Sequence, residues 1–388
     1  MEVTQLDLLP PGDNVAEITL IGTGGGYGES IVIHLGKNNW IIVDSCTDPD
    51  SGKNLSIEYL KALKVDCRNN VKLIVCSHWH DDHILGISSA LKECENAEFC
   101  MARATDQKKF LQFLRLDYKK CKYQPSNSST VEFNTCIEIL KTRNQPYVEA
   151  IASKSLYTFR DREFLSEVIA LSPSDFISQE FDYEISQLIK EYGALNRKVV
   201  DRKPNKKAVG LFVKIGAHRA ILGSDMEIGE DSNAGWLNIL DRVQIIDEKS
   251  NYFKISHHGS SACHHDRIWD QLLITKPVGT LSSWNKNDKL PTEEMLNHFC
   301  QLSDKIYITS IPKTSKAKKR EKQIEKMIYR FRPGLTGTAF SFGAIQSRIS
   351  LIDPGDFWRT ELFGAAIHVN NIINTSGVKL EEPGRKTG

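Results

Sequence analysis

The chain has 388 residues, a formal net charge of +1 and 40% hydrophobic residues. A chain of this length can bury a hydrophobic core for one large domain or two ordinary ones, without stabilisation by disulfides or metal ions. Because the charges balance, the net charge does not indicate electrostatic attraction of one class of partner. Nine scattered cysteines favour free thiols in a reducing cytosol over a disulfide framework. Residues 1–11 lack the basic and apolar regions of a secretory signal, and no window approaches eighteen uninterrupted apolar residues. We therefore expect a cytoplasmic protein without a membrane span.

The first segments predict a β-rich start to the chain. Residues 16–21, 30–35 and 39–43 are short apolar runs separated by turn residues, which predicts three strands. The Gly-rich run at 22–28 is not interpreted as a phosphate loop, because no Gly-Lys-Ser/Thr follows it and the next predicted element is a strand. Asp44 ends the third strand, and residues 54–64 have the pattern of an amphipathic helix.

The densest group of potential metal ligands follows the apolar run 71–76, where residues 78–83 read His-Trp-His-Asp-Asp-His. A strand that ends in such a loop, before the helix-like segment 84–92, can aim several side chains at one point with little further loss of chain entropy. Imidazole and carboxylate without thiolate suit zinc, manganese or ferrous iron. We therefore predict a metal site whose ligands are His78, His80, Asp82 and His83.

Two later strand ends carry further candidates. The predicted hairpin 209–215 and 218–222 ends in Gly-Ser-Asp225, and the predicted strand 252–256 runs into His257-His258-Gly-Ser-Ser. The following residues 263–265, Cys-His-His, are interpreted as a polar cluster at the start of a predicted helix 266–274.

At these residues the chain resembles a known fold family. His78-x-His80-x-Asp82-His83 resembles the His-x-His-x-Asp-His signature of the metallo-β-lactamase fold, and residues 257–260 are similar to the hydrolase domain of the bacterial DNA-uptake channel protein ComEC. The resemblance runs over about residues 16–310. It implies an α/β protein with a four-layer αββα sandwich.

The resemblance also implies the division of the chain. Residues 1–310 would form the hydrolase domain, with a helical insertion at about 101–207, and residues 311–388 a C-terminal extension packed on it. The insertion contains no His and is predicted to be helical at 176–192. We expect it to select the substrate by shape and surface charge.

The resemblance assigns roles to the residues outside the signature. Asp225 matches the bridging aspartate of the family, and Asp44 matches an acidic residue that holds ligand imidazoles by hydrogen bonds. Adjacent residues at a strand end face opposite ways, so we assign His257 to the metal and His258 to acid/base or phosphate contact, with the reverse order left open. The predicted substrate-binding residues are Ser260, Ser261 and Asn285.

Two departures from the family pattern leave the number of ions open. Dinuclear members mostly have a further His after the signature, whereas residues 84–207 contain none; and where the ComEC-like pattern has Gly-His-Pro, this chain has Lys-Leu-Pro at 289–291. Isolated histidines such as His218 are interpreted as packing residues. We expect one or two divalent ions, zinc or manganese. The predicted ligands are His78, His80, Asp82, His83, Asp225 and His257.

The C-terminal part is unevenly charged. Residues 313–332 contain nine Lys or Arg and two Glu, and an apolar stripe at 324, 327, 328 and 331 predicts a docked basic helix over 313–331. Lys-rich segments also occur at 108–122 and 197–207. These segments are either solvated faces or a track for a polyanion. Residues 336–345 and 347–352 predict a hairpin, and residues 377–388 a tail.

The predicted function is hydrolysis by a metal-activated water. The first hypothesis is a phosphodiesterase or nuclease acting on DNA or RNA, with Asp82, His258 and Asp44 as catalytic residues and the Lys/Arg surface holding the nucleic-acid backbone. One alternative is a hydrolase of a small ester, lactone or cyclic nucleotide, because fold alone does not decide the substrate. The other is a regulatory module with a degenerate metal site. Nucleic acid is a possible partner, no membrane partner is expected, and the sequence does not identify partner proteins.

Overall fold

The computed structural model describes residues 9–25, 28–104, 109, 112, 129–192, 204–285, 289–312, 316–317, 338–339 and 342–375. The strands are β1 Val15–Gly22, β2 Glu29–His34, β3 Trp40–Val43, β4 Val71–Cys76, β5 Glu98–Ala102, β6 Val148–Ala150, β7 Ser155–Arg160, β8 Leu165–Ala170, β9 Leu211–Ile215, β10 His218–Leu222, β11 Ser250–Lys254, β12 Leu273–Leu281, β13 Ile306–Ile308, β14 Lys316–Ala317, β15 Thr338–Ala339, β16 Gly343–Ser350, β17 Arg359–Gly364 and β18 Ile367–His368. The α-helices are α1 Leu55–Ala62, α2 Cys67–Asn70, α3 Asp81–Ile84, α4 Ile87–Glu93, α5 Ser129–Thr142, α6 Asp175–Tyr192, α7 Gly235–Arg242, α8 Glu293–Leu302 and α9 Val369–Thr375.

The long strands form two eight-stranded mixed sheets. The first has the order β17-β16-β1-β2-β3-β4-β5-β6 and the second the order β18-β13-β12-β11-β10-β9-β8-β7. Strands β3 to β6 run parallel in the first sheet, and β10 to β13 run parallel in the second. The carboxyl ends of neighbouring parallel strands open on one edge of a sheet, where ligand sites of α/β proteins are found.

The apolar side chains divide into three layers because successive residues of a strand face opposite sides. In β3, Ile41 and Val43 pack between the two sheets, whereas Trp40 and Ile42 pack against helices on the outer face of the first sheet. A third cluster, which includes Trp236 of α7 and Phe299 of α8, covers the outer face of the second sheet. The architecture is an αββα sandwich, and the predicted fold class is confirmed.

Most predicted elements before residue 260 are observed with small differences at their ends. Strands β1 to β4, the hairpin β9–β10 and strand β11 lie where apolar runs predicted them. The predicted helix 54–64 is α1, which begins after Asn54, whose side chain accepts a hydrogen bond from the Ile57 amide. The predicted helix at 176–192 is α6.

Two predicted elements are wrong, and a third ends earlier than expected. The helix expected over 84–92 is two helices, α3 and α4, because Gly86 has φ +94° and interrupts the turn. The segment expected to be a helix over 266–274 is helical over 266–272 and ends there because Leu273 already begins β12. The hairpin expected at 336–352 does not turn near residue 346: β16 is continuous and pairs with β1 on one side and with β17 on the other.

The regions predicted as an insertion and an extension contribute to both sheets. Segment 101–207 supplies β6 to β8 in addition to α5 and α6, and segment 311–388 supplies β16 to β18. The second region therefore does more than pack on a completed sandwich, because β16 lies beside β1 over eight residue pairs. Within the predicted basic helix 313–331 only Lys316–Ala317 is described, and it is strand β14 rather than helix. The rest of that segment, the tail 377–388 and most of the other two Lys-rich segments lie outside the described residues.

Within the part of the chain that the structure describes, no helix is long and apolar enough to cross a membrane. The described cysteines are all free, and only Cys300 among them is not buried. Free, buried thiols are what the scattered cysteine spacing predicts.

Candidate metal centre

The predicted ligands come together at one edge of the sandwich, where strands of both sheets end. The loop after β4 and the short helix α3 bring residues 78–83 from the first sheet, the turn after β10 brings Asp225, and the turn after β11 brings the His257–His258 pair. Gly28, next to β2, allows the backbone there to pack closely against Cys46 and Asp82. A Cβ atom there would lie 2.9 Å from the Asp82 carbonyl oxygen and 2.7 Å from Cys46 Cβ.

One group of four side chains converges in the interior of this edge. His83 Nε2 lies 3.4 Å from Asp225 Oδ1 and 3.5 Å from Asp82 Oδ2. His258 Nε2 lies 3.4 Å from the same oxygen of Asp82. All four residues are buried, and their ligand atoms lie within 4.8 Å of one another.

A second group shares Asp225 with the first. His78, His80 and Asp225 also have ligand atoms within 4.8 Å of one another, and His78 Nε2 is 3.8 Å from Asp225 Oδ2. The two oxygens of Asp225 therefore face different histidines, Oδ1 towards His83 and Oδ2 towards His78. A carboxylate in this position can join two neighbouring cations.

Three buried ring nitrogens in these groups have no hydrogen-bond partner. They are the Nε2 atoms of His78, His83 and His258, and Asp225 Oδ1 is unpartnered beside them. Buried polar atoms without partners are costly and rare in native proteins. Several such atoms that point at one place therefore fit a site for a cation that they would bind together.

The hydrogen bonds on the far side of each ring fix the tautomer that a metal requires. His83 Nδ1 is 2.8 Å from Asp44 Oδ2, and a carboxylate only accepts, so Nδ1 carries the proton. Ser77 Oγ donates to Asp44 at 2.6 Å and therefore accepts from His78 Nδ1, 3.0 Å away. Both imidazoles then present the Nε2 lone pair to the site, which is the state that binds a metal ion.

His258 is held in the same way by residues of both sheets. Its Nδ1 is 2.8 Å from Ser282 Oγ, and Ser282 donates its proton to Glu29 Oε2. The hydroxyl can therefore only accept from His258, whose Nε2 is left bare. The other oxygen of Glu29 pairs with Lys254, and both side chains are buried.

The charges of the site favour a bound cation. Glu29, Asp44, Asp82 and Asp225 are all buried, and the ammonium of Lys254 compensates Glu29. Burial disfavours a charged imidazole, but the carboxylates of Asp225, Asp82 and Asp44 outweigh it and raise the pKa of His83 well above its usual value. Burial alone would raise the pKa of Asp225, but His83 and the neighbouring histidines hold it well below its usual range. An excess of buried negative charge is stabilised by a metal ion in place of these protons.

His257 differs from the other histidines of the centre. Its side chain is 25% exposed, and its Nε2 is 3.8 Å from Asp225 Oδ2. Cys263 Sγ lies 3.3 Å from its Nδ1 and Asn205 Nδ2 lies 3.5 Å from it, so no carboxylate-backed acceptor fixes its tautomer. His258 therefore lies in the buried ligand group, and His257 lies at its solvent side. This arrangement corresponds to the alternative that the sequence left open, in which His258 rather than His257 is the candidate ligand.

Two of the predicted substrate-binding residues, Ser260 and Ser261, follow the His257–His258 pair, and the third, Asn285, follows β12. Ser261 is exposed and Ser260 half-buried, and Asn285 Nδ2 donates to the Gly24 carbonyl oxygen at 2.6 Å, which ties its loop to the Gly-rich turn. A cavity beside His78 is lined by residues of the predicted insertion, among them Phe133, Phe181 and Lys207. The insertion therefore reaches the candidate centre.

The sequence analysis missed the residues that orient the ligands. Glu29, Ser77, Lys254 and Ser282 are all buried polar residues at or next to strand ends. The signal that could have found Glu29 and Lys254 is a charged residue within an otherwise apolar strand, because such a residue requires a partner in the interior.

Comparison with known proteins agrees with the αββα sandwich described above. Residues 23–107, which include the signature, match the family model described as the metallo-beta-lactamase superfamily. Residues 23–107 are therefore similar to the metallo-β-lactamase superfamily, and they lie within an αββα sandwich of the metallo-β-lactamase fold. A search of curated proteins found no significant match.

Three of the solved structures that are similar to this chain illustrate the likeness. YhfI from Bacillus subtilis is 11% identical, with 62% of this chain and 70% of that chain covered and a TM-score of 0.30. The metallo-beta-lactamase from Pontibacter korlensis is 14% identical, with 64% and 89% covered and a TM-score of 0.31. The dizinc quorum-quenching lactonase AidC is 13% identical, with 58% and 71% covered and a TM-score of 0.30.

Proposed function

We propose that this protein is a metal-dependent hydrolase that cleaves phosphodiester bonds of DNA or RNA. The observation that supports hydrolysis is the convergence of the three unpartnered Nε2 atoms on Asp82 and Asp225. Superfamily members are generally metallohydrolases, and this donor set of imidazole and carboxylate suits zinc or manganese.

Two ions fit the arrangement, and each has its own set of residues. The inner position is bounded by Asp82, His83 and His258, the outer-facing position by His78 and His80, and Asp225 belongs to both. His257 lies beside the second set at its solvent side, 3.8 Å from Asp225 Oδ2. Divalent ions held there would stabilise negative charge at the attacked phosphorus and make a bound water acidic near neutral pH.

The residues of the chain then supply orientation and proton transfer. Asp44 and the Ser282–Glu29 pair keep three imidazoles in the tautomer and direction that the site requires. His257, partly exposed and beside Asp225, is placed to give a proton to the leaving oxygen. This assigns the acid/base role to His257 and metal binding to His258.

Nucleic acid as the substrate rests on the sequence. Residues 313–332 carry nine Lys or Arg against two Glu, although the whole chain is almost neutral. Such clustered positive charge attracts phosphate backbones. The likeness of residues 257–260 to the hydrolase domain of ComEC points to the same substrate class.

A small ester or lactone is the second candidate. The observation that favours it is the cavity beside His78, which Trp79, Phe133 and Phe181 make largely apolar. An apolar cavity next to the ligands would suit an acyl chain better than a phosphate backbone.

The experiment is cleavage of labelled single- and double-stranded DNA and RNA, with and without manganese or zinc, by the wild-type protein and Asp82→Ala. Asp81→Ala is the matched control, because Asp81 is exposed and accepts a hydrogen bond from the Ser129 amide. Metal-dependent cleavage by wild type and Asp81→Ala, lost in Asp82→Ala, is expected, with steep salt dependence. Bound metal without cleavage of any nucleic acid would overturn the nuclease proposal in favour of a small ester, and a folded protein that binds no metal would leave only the regulatory module.

A further inference from the structure

Three side chains outside the candidate metal centre converge beside α8. His264 Nε2 lies 2.8 Å from His298 Nε2 and 3.1 Å from Asp266 Oδ1, and His298 Nε2 lies 3.9 Å from the same oxygen. The sequence predicts that His264 belongs to a polar cluster at the start of a helix at 266, and residues 266–272 are helical. The start of this helix does not by itself explain the contact of His264 with His298 of α8.

The separations of these atoms suit a common metal ion. Zinc–nitrogen and zinc–oxygen bonds are about 2.0–2.2 Å long, so two ligands at a tetrahedral angle lie about 3.3 Å apart. The distances of 2.8, 3.1 and 3.9 Å lie on both sides of that value. Two imidazoles with one carboxylate are a ligand set of zinc and other transition metals rather than of calcium or magnesium.

Packing holds the two imidazoles in place. The ring centroids of His264 and His298 lie 5.8 Å and 6.3 Å from that of Phe299, which is buried and stacks on Trp269. The side chain of His264 is 14% exposed, that of His298 35% and that of Asp266 78%. The His264 ring is therefore largely enclosed, while the more exposed His298, the carboxylate and water can adjust from the solvent side to complete the coordination shell.

Protonation does not prevent binding at neutral pH. Burial lowers the pKa of His264, and the neighbouring His298 lowers it further, against the opposing effect of Asp266. A neutral imidazole has a lone pair to offer. Two Nε2 atoms that face each other at 2.8 Å can share only one proton between two lone pairs, and a metal ion uses both.

We propose that His264, Asp266 and His298 form a second metal site, separate from the candidate centre, which binds a transition-metal ion of the zinc type. The site joins the loop that follows the His257–His258 pair to α8. Cys263, next to His264, contacts His257 Nδ1 at 3.3 Å. An ion at the second site would thus restrain the backbone that positions His257, without touching the substrate.

The test counts zinc ions per chain after chelator treatment and equilibrium dialysis against Zn²⁺, by elemental analysis. Wild type is compared with His264→Gln and His298→Gln, and His265→Gln is the matched control because His265 Nδ1 instead accepts from the Arg267 amide. Wild type and His265→Gln should each hold one more zinc ion per chain than the other two variants. Equal numbers in all four proteins would overturn the proposal.

Anomalous diffraction at the zinc edge from wild-type crystals provides a second measurement that does not depend on the folding of any variant. A peak between His264 and His298 is expected. A map with zinc only at the candidate centre, or with none, would contradict the second site. A candidate centre that binds no zinc would leave the expected difference of one ion intact, so failure of the proposed function and failure of this inference give different results.

Discussion

Glu29 and Lys254 form a buried ion pair that joins the two sheets directly beneath the candidate metal centre. Glu29 begins β2 of the first sheet and Lys254 ends β11 of the second, and their side chains are 2% and 0% exposed. Burial disfavours the charge on Lys254, but Glu29 outweighs it and raises the Lys254 pKa. The pair is thus charged in the folded protein, and through Ser282 it also orients His258.

Glu29→Gln is expected to destabilise the metal-free protein by about 3–5 kcal/mol, because it removes the carboxylate that is paired directly with the buried ammonium of Lys254. The measurement is urea unfolding of chelator-treated protein. Asp304→Asn is the control: it breaks an exposed pair with Lys276, in which the side chains are 57% and 61% exposed, and should cost less than about 1 kcal/mol. Equal losses in the two variants would mean that the buried pair contributes nothing beyond a surface contact.

Ser282→Ala should weaken metal binding by about 10–100-fold, because it removes the group that fixes the tautomer and direction of His258. The measurement is competition for zinc against a chromophoric chelator. Ser283→Ala is the matched control, since the hydroxyl of this neighbouring buried serine instead contacts Ser310 Oγ at 2.5 Å. The role given to Ser282 is wrong if both variants bind zinc equally well.

His34, remote from the candidate centre in the fold, should make the protein sensitive to mild acid. Burial lowers its pKa from 6.5 to about 4, and its ring is held neutral, with Nδ1 donating to the Val15 carbonyl oxygen and Nε2 accepting from the Asn38 amide. Between pH 6.5 and about 4 the unfolded chain binds a proton that the folded chain does not, so the free energy of unfolding falls as pH falls.

This loss amounts to roughly 3 kcal/mol at the lower end of that range. The measurement is urea unfolding at several pH values for wild type and His34→Gln, in which the ionisable ring is absent. The variant should have a flatter stability curve below pH 6.5 than wild type. Parallel curves would show that His34 does not titrate differently in the folded and unfolded chains.

The local part of the fold is readable from the sequence. Apolar runs between turn residues predict β1 to β4 and β9 to β11, because each buries a side chain on at least one face of a sheet. The ligand-rich loop after β4 is likewise a local pattern. The position of β16 in the sheet does not follow from local sequence. This strand pairs with β1, which lies more than three hundred residues earlier in the chain, and no residue pattern predicts that pairing.

The candidate site was predictable only where its residues carry recognisable ligand chemistry. His78, His80, Asp82, His83, Asp225 and the His257–His258 pair are potential ligands next to strand ends. The order of the pair was not predictable, because His257 and His258 have φ values of +46° and +53° and therefore do not alternate as residues of an extended strand would. Ser77 and Ser282 act through hydrogen bonds that exist only once distant strands meet.

The most direct test of the candidate centre is anomalous diffraction from crystals of wild-type protein grown with Mn²⁺. Two peaks about 3.5–4 Å apart are expected on either side of Asp225, one among Asp82, His83 and His258 and the other near His78 and His80. A well-ordered map with no peak within bonding distance of the Nε2 atoms of His78, His83 and His258 would contradict the metal centre and the hydrolysis that depends on it.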